Sequence, residues 1–229
     1  MEAKAVIVAG VFVVIVIAVV IGFTSYQTGW ESSNEMVMEQ FLKSQQKAQL
    51  EFENGSPILG LESAPVTIVE FGDYQCEACY HWFHTTRSTL IDNYIEAGKA
   101  KLVFVDLPFL GRDSPKAAQA SYCADDQGKY WEYHTILYTF QDGPPDSGWA
   151  DRDRLNSFAF SLDMNMDEFN ECMDSSKYKQ RVKANYNDAV KNDATQTPTF
   201  IIISQDGKKE MFSGAQPYSV FAATIESML

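Results

Sequence analysis

The sequence predicts an α/β domain: a strand, a helix and a second strand, then a long helical block, then a hairpin and a closing helix. Three observations carry this. The run Val66-Thr67-Ile68-Val69-Glu70-Phe71, rich in β-branched residues, stands shortly before a helix-compatible stretch over 80–100. Asp206-Gly207 separates two strand-like runs, 200–204 and 209–212, as the tight turn of an antiparallel pair does. Between the strand-like run 102–107 and that hairpin, residues 114–192 read as helix, interrupted by Gln141-Asp142-Gly143-Pro144-Pro145. A last helix is expected over 217–228, and no internal repeat or low-complexity segment is present.

Ahead of this domain the composition changes. Residues 5–23 form an uncharged, almost wholly apolar run, about as long as a bilayer's hydrocarbon core is thick. We read it as a single transmembrane anchor; a cleaved signal peptide is the alternative, although no Ala-x-Ala site follows. Lys4 precedes the run and the next basic residue is Lys43, which places residues 1–4 in the cytoplasm and the rest outside. Residues 24–56 read as a tether. Within it Ser32-Ser33-Asn34-Glu35 resembles a capping box that starts a helix through Met36, Met38, Phe41 and Leu42. Asn54-Gly55-Ser56-Pro57 ends the tether, and the globular domain is expected over 57–229. The formal net charge of −13 lies after the anchor and argues against nucleic acid as a partner.

The chemistry concentrates in four cysteines. Cys76-Glu77-Ala78-Cys79 falls between the strand and the helix, so both thiols sit at a helix N-terminus, where amide groups and the helix dipole stabilise a thiolate. That spacing also suits half of a zinc site, but no second Cys-x-x-Cys exists. Cys123 and Cys172 lie in separate helical segments. An even number of cysteines in an oxidising compartment predicts a structural disulfide between them, with two buried free thiols as the alternative. His81 and His84 are one helical turn apart with no third ligand nearby, and His134 sits among aromatic residues; all three read as surface or packing histidines. No metal or cofactor is expected.

The segment Ala64-Pro65-Val66-Thr67-Ile68-Val69-Glu70-Phe71-Gly72-Asp73-Tyr74-Gln75-Cys76, with Cys79 after it, resembles the DsbA-like thiol:disulfide oxidoreductases. So do Gly128-Lys129-Tyr130-Trp131-Glu132-Tyr133-His134 and Thr197-Pro198-Thr199-Phe200, in the same order along the chain. The resemblance implies a thioredoxin-like fold with a helical insertion. It implies that Cys76 is the nucleophile, Cys79 its buried partner, and Thr197-Pro198 a cis peptide packed against them. Glu70 matches an acidic position that could relay the proton of Cys79, with a solvent-facing strand glutamate as the alternative. The implied substrates are reduced or unfolded secreted proteins, and the implied regenerating partner is a membrane protein of the DsbB or VKOR type. One departure stands out: strongly oxidising members carry His before the second Cys, where this chain has Ala78, and Glu77 adds a negative charge. A reductase or isomerase on the same scaffold, and an anchored binding module for unfolded chains, are the competing functional readings.

Overall fold

The computed structural model describes residue 36 and residues 52–229. The expected anchor at 5–23 and most of the tether lie outside the described residues. Among the described residues no helix is long and apolar enough to cross a membrane.

The central strand β1 (Val66–Gly72) is buried along its whole length. It pairs in parallel with β2 (Ala100–Asp106) and antiparallel with β3 (Thr199–Ile203), which pairs antiparallel with β4 (Lys209–Ser213). The sheet order is therefore β2-β1-β3-β4. A strand flanked on both sides and covered on both faces has to be largely apolar, and β1 is, with Thr67 and Glu70 the exceptions.

The connection from β1 to β2 is the helix α1, which begins as Glu77–Trp82 and continues through Ser88–Leu90. Two of its turns, Phe83–Arg87 and Ile91–Ile95, are π-helical. The sequence expectation carried this helix to residue 100. Gly98, at φ +68°, instead ends it, with its amide bonded to the Ile95 carbonyl, and Ala100 already starts β2.

The helical block comprises α2 (Ser114–Asp125), α3 (Tyr130–Thr139), α4 (Arg152–Ser161), α5 (Met166–Asp174) and α6 (Lys179–Lys191). Helix α7 (Tyr218–Glu226) closes the chain. One face of the sheet packs Val66, Ile68, Phe200 and Ile202 against Trp82 and Leu90 of α1 and Phe221 and Ile225 of α7. The opposite face packs Val69, Phe71, Ile201 and Ile203 against Ala189 of α6 and Phe52. Each of these large side chains contributes roughly 1.5–3 kcal/mol by burial.

The folded domain reaches further back than the expected start at residue 57. Phe52 is buried edge-on against Phe71, with ring centroids 5.7 Å apart. Ser56 exchanges hydrogen bonds with Phe104 of β2, and Leu59 does so with Leu102. This strip follows the outer edge of β2. The turn signal at Asn54-Gly55 marks a bend within the domain, because the unpaired amides of an edge strand take whatever chain is near enough to pair.

Candidate active site

The strand-to-helix turn after β1 presents Cys76 as the residue that caps α1. Its backbone is extended, with φ −80° and ψ 119°, and its Sγ accepts the Cys79 amide at 3.4 Å. In its thiol form Cys76 donates to the Thr197 carbonyl at 3.3 Å. The Thr197-Pro198 peptide is cis, and the Pro198 carbonyl accepts the Gly214 amide, which ties the loop to the end of β4. Residues separated by more than a hundred positions thus meet at one sulfur.

The two cysteines are present as thiols and differ in environment. A hydrogen bond from the Cys79 side chain, with further ones from Thr197 and from the Cys79 and Ala78 amides, lowers the Cys76 pKa to about 6, against the opposing effect of burial. Burial drives Cys79 well above the ordinary thiol range, and the charges of Cys76 and Glu70 add to that. One thiol is therefore poised as a thiolate at neutral pH while its partner holds its proton. Glu77 is exposed, and the groups that set the Cys76 thiolate do not include it. The charge penalty expected from Glu77 is small because solvent screens it.

Glu70 lies on β1 with only 1% of its surface exposed. Burial raises its pKa to about 8, opposed by Arg87 and reinforced by Cys76. Neither carboxyl oxygen meets a hydrogen-bonding group of the protein. At neutral pH such a group holds its proton, and it has one to give.

A second layer, which sequence reasoning did not single out, fixes the turn. The carboxylate of Asp73 accepts the Gln75, Phe109 and Leu110 amides, while its backbone carbonyl accepts the Cys76 amide and the Tyr138 hydroxyl. The Gln75 side chain donates to Ser114 Oγ and to the Leu110 carbonyl, and its own carbonyl accepts the Asp146 amide. Asp146 in turn accepts the amides of Arg112 and Asp113. Two loops distant in sequence, the one before α2 and the one before α4, are thereby locked to the turn that ends at Cys76. The only available signal was two polar side chains in a turn that ends up buried.

Cys123 of α2 and Cys172 of α5 are joined in a disulfide, with Cα atoms 5.8 Å apart. His81 and His84 are exposed; the His84 ring lies against Tyr80, and its Nε2 is 3.4 Å from the Tyr138 carbonyl. Among the described residues no three His, Cys, Asp or Glu side chains are grouped to hold a metal. His134 is fully buried with Nδ1 2.9 Å from the Tyr74 hydroxyl, and burial, helped by Arg87, keeps it neutral.

Comparison with known proteins agrees with this geometry. The thioredoxin family profile matches residues 53–227. The chain is 32% identical over 128 residues to "Probable disulfide bond formation protein D" of Bacillus anthracis, covering 55% of this chain and 59% of that protein. It is 30% identical over 153 residues to "Disulfide bond formation protein D" of Bacillus subtilis, covering 65% of this chain and 68% of the relative. The first of these matches spans less than two thirds of its relative's length. Among solved structures, oxidised BdbD from Bacillus subtilis superposes with a TM-score of 0.69 at 27% identity, over 77% of this chain and 94% of that one. With the sheet order, the inserted helices and the cysteine pair at the head of α1 all in place, the chain belongs to the thioredoxin family and carries the DsbA-like form of its fold.

Proposed function

We propose that the protein is an extracytoplasmic thiol:disulfide oxidoreductase that introduces disulfides into secreted or surface proteins through Cys76 and Cys79. The observation that carries this reading is the division of labour between the two thiols, one drawn down to about 6 and the other pushed up. Stabilising the Cys76 thiolate stabilises the reduced enzyme, so the oxidised enzyme passes its disulfide on. A substrate thiolate attacks Cys76 Sγ, the Cys76–Cys79 bond breaks, and Cys79 leaves with the electron pair, taking a proton from Glu70. The substrate's second thiolate then attacks the substrate sulfur of the mixed disulfide and releases the Cys76 thiolate. The substrate has lost two electrons and the enzyme has gained them. The Thr197 carbonyl beside Cys76 offers an acceptor for the backbone of an extended substrate segment.

The enzyme must then be reoxidised, and we assign that role to a membrane protein of the DsbB or VKOR type. The apolar run 5–23 and the lone Lys4 before it support a single-pass anchor with the catalytic domain outside the cytoplasm.

The deciding measurement is the reduction potential of the pair, with turnover of a reduced, unfolded substrate. A potential near or above about −150 mV with net disulfide formation supports the oxidase. One near roughly −270 mV would make the protein a reductant instead. Unchanged function after both thiols are alkylated would replace the enzyme with a binding module.

A further inference from the structure

Arg87 is a buried cation that the exchange reaction as described leaves unused. It lies at the end of the π-helical turn Phe83–Arg87 of α1, with 8% of its surface exposed. A π-turn carries an extra residue and rotates the side chains after it, a device that recurs at functional sites. Here it brings a guanidinium inward, where its Cζ stands 5.1 Å from the Phe83 ring centroid and 5.7 Å from that of Trp131. Its Nε has no hydrogen-bond partner. A cation in that position is costly unless a compensating charge lies within reach.

The residues around it identify that charge. Glu70 pairs across the sheet with Phe104 on β2 and with Phe200 on β3. Phe104 packs against His134 at 4.8 Å, and Phe200 packs against Trp82 at 4.8 Å. His134 touches the same Trp131 that carries Arg87, at 5.0 Å. The carboxyl of Glu70 and the guanidinium of Arg87 therefore share one aromatic chamber beneath Cys79. They are not within ion-pairing distance, since both Glu70 oxygens lack a partner. The ionisable groups that interact with Glu70 are Cys76 from the active-site turn, Cys79 and Arg87 from α1, and Tyr138 from α3, while Tyr74 and His134 pack on its cross-strand neighbour Phe104. Arg87 is the only cation among them, because His134 is neutral. The strands and α7 contribute Phe104, Phe200 and Phe221, which carry no charge.

We propose that Arg87 is a positioning residue for proton transfer at Cys79: its buried charge, held between Phe83 and Trp131, allows Glu70 to exist as a carboxylate and so to take the Cys79 proton. The need arises when Cys79 attacks Cys76 Sγ in a mixed disulfide. The Cys79 thiol gives its proton to Glu70, the Cys79–Cys76 bond forms, and the partner sulfur leaves as a thiolate. Glu70 then holds that proton and returns it to Cys79 when the next substrate thiolate opens the bond. Without a cation the carboxyl would stay protonated and could act only as an acid. With one, it works in both directions. The two charges attract across the chamber. The inference rests on the oxidoreductase reading.

The test is the pH dependence of mixed-disulfide resolution. Cys76 is first loaded with glutathione, and the rate at which Cys79 expels it is followed by stopped flow. Arg87→Met keeps the packing of the stem and removes the charge; it should move the midpoint up by about one unit or more, a roughly tenfold slowing at pH 7. Arg87→Lys should restore most of the wild-type profile. In a Glu70→Gln background, adding Arg87→Met should shift nothing further. Adding His134→Gln to Arg87→Met removes the nearby base that could take over the charge, and the upward shift should persist. An unmoved midpoint in Arg87→Met, or an equal shift with and without Glu70, would overturn the proposal. Alkylation of Cys76 should keep its wild-type pH midpoint in Arg87→Met and Arg87→Lys, and an equal shift there would overturn the assignment to Cys79. A wild-type protein that never resolves the mixed disulfide would remove the oxidoreductase reading along with this one.

Discussion

The Thr197 carbonyl oxygen, which belongs to the cis peptide joining it to Pro198, stands 3.3 Å from Cys76 Sγ. These residues come from opposite ends of the domain and from different chain directions. Their meeting means that the same backbone group can hold the resting thiol and, once the thiolate has formed, accept an N–H from a bound peptide.

The first prediction follows from the asymmetry of the two thiols. Cys76→Ser should abolish disulfide exchange, whereas Cys79→Ser should accumulate mixed disulfides through Cys76. Non-reducing gels after incubation with a reduced substrate distinguish the two. Equal trapping by both variants would refute the assignment.

A second prediction concerns pH. The Cys76 pKa falls from 9.0 to about 6 on folding, so its thiolate stabilises the reduced protein. For a group with a depressed folded pKa, that stabilisation is fully present above the unfolded value and lost as pH falls through the folded one. The stability of the reduced protein relative to the oxidised one should therefore grow between pH 6 and 9, by at most about 4 kcal/mol. Urea unfolding of both forms across this range measures it. A difference that is flat or falls with pH would contradict the lowered thiol.

The dipeptide between the cysteines gives a third. Glu77→Gln should leave the Cys76 pKa nearly unchanged, because the side chain is exposed and the thiolate is held by Cys79, Thr197 and backbone amides. Thiolate absorbance against pH is the readout. A drop of a full unit would restore the importance that the sequence suggested for this charge.

Stability of the helical block supplies the fourth. The Cys123–Cys172 bridge spans 49 residues, and replacing both by Ala should cost about 4 kcal/mol in the chain-entropy picture. Chemical denaturation of the oxidised protein tests the loss. Intact-mass measurement with alkylation should find no free thiol at either position beforehand.

How far the sequence reveals this site depends on the kind of interaction. Cys76 and Cys79 were legible because thiol chemistry demands that spacing at a helix start, and Pro198 because it precedes an apolar strand. Strand β1 was legible from β-branched content alone, yet its Glu70 reads equally as an exposed residue until both neighbours and both faces are known. The lattice around Asp73 and Gln75 was not visible. It joins positions 73, 110, 114 and 146, and a buried acceptor leaves no periodicity in the chain. Arg87 was hidden for a different reason: the π-turn breaks the 3.6-residue period that would have assigned its face.

The strip from Ser56 to Leu59 has a mechanical consequence. It bonds to β2, the immediate neighbour of the strand that leads into Cys76, and so joins the chain's upstream portion to the sheet beside the reactive turn. Tension arriving along the polypeptide from its N-terminal side would meet Phe52, seated against Phe71, before it loads these bonds. On that side the outward groups of Leu102 and Phe104 are already taken by Leu59 and Ser56. Lateral growth is left to β4, whose charged Lys209 and Glu210 make it a poor template for self-association.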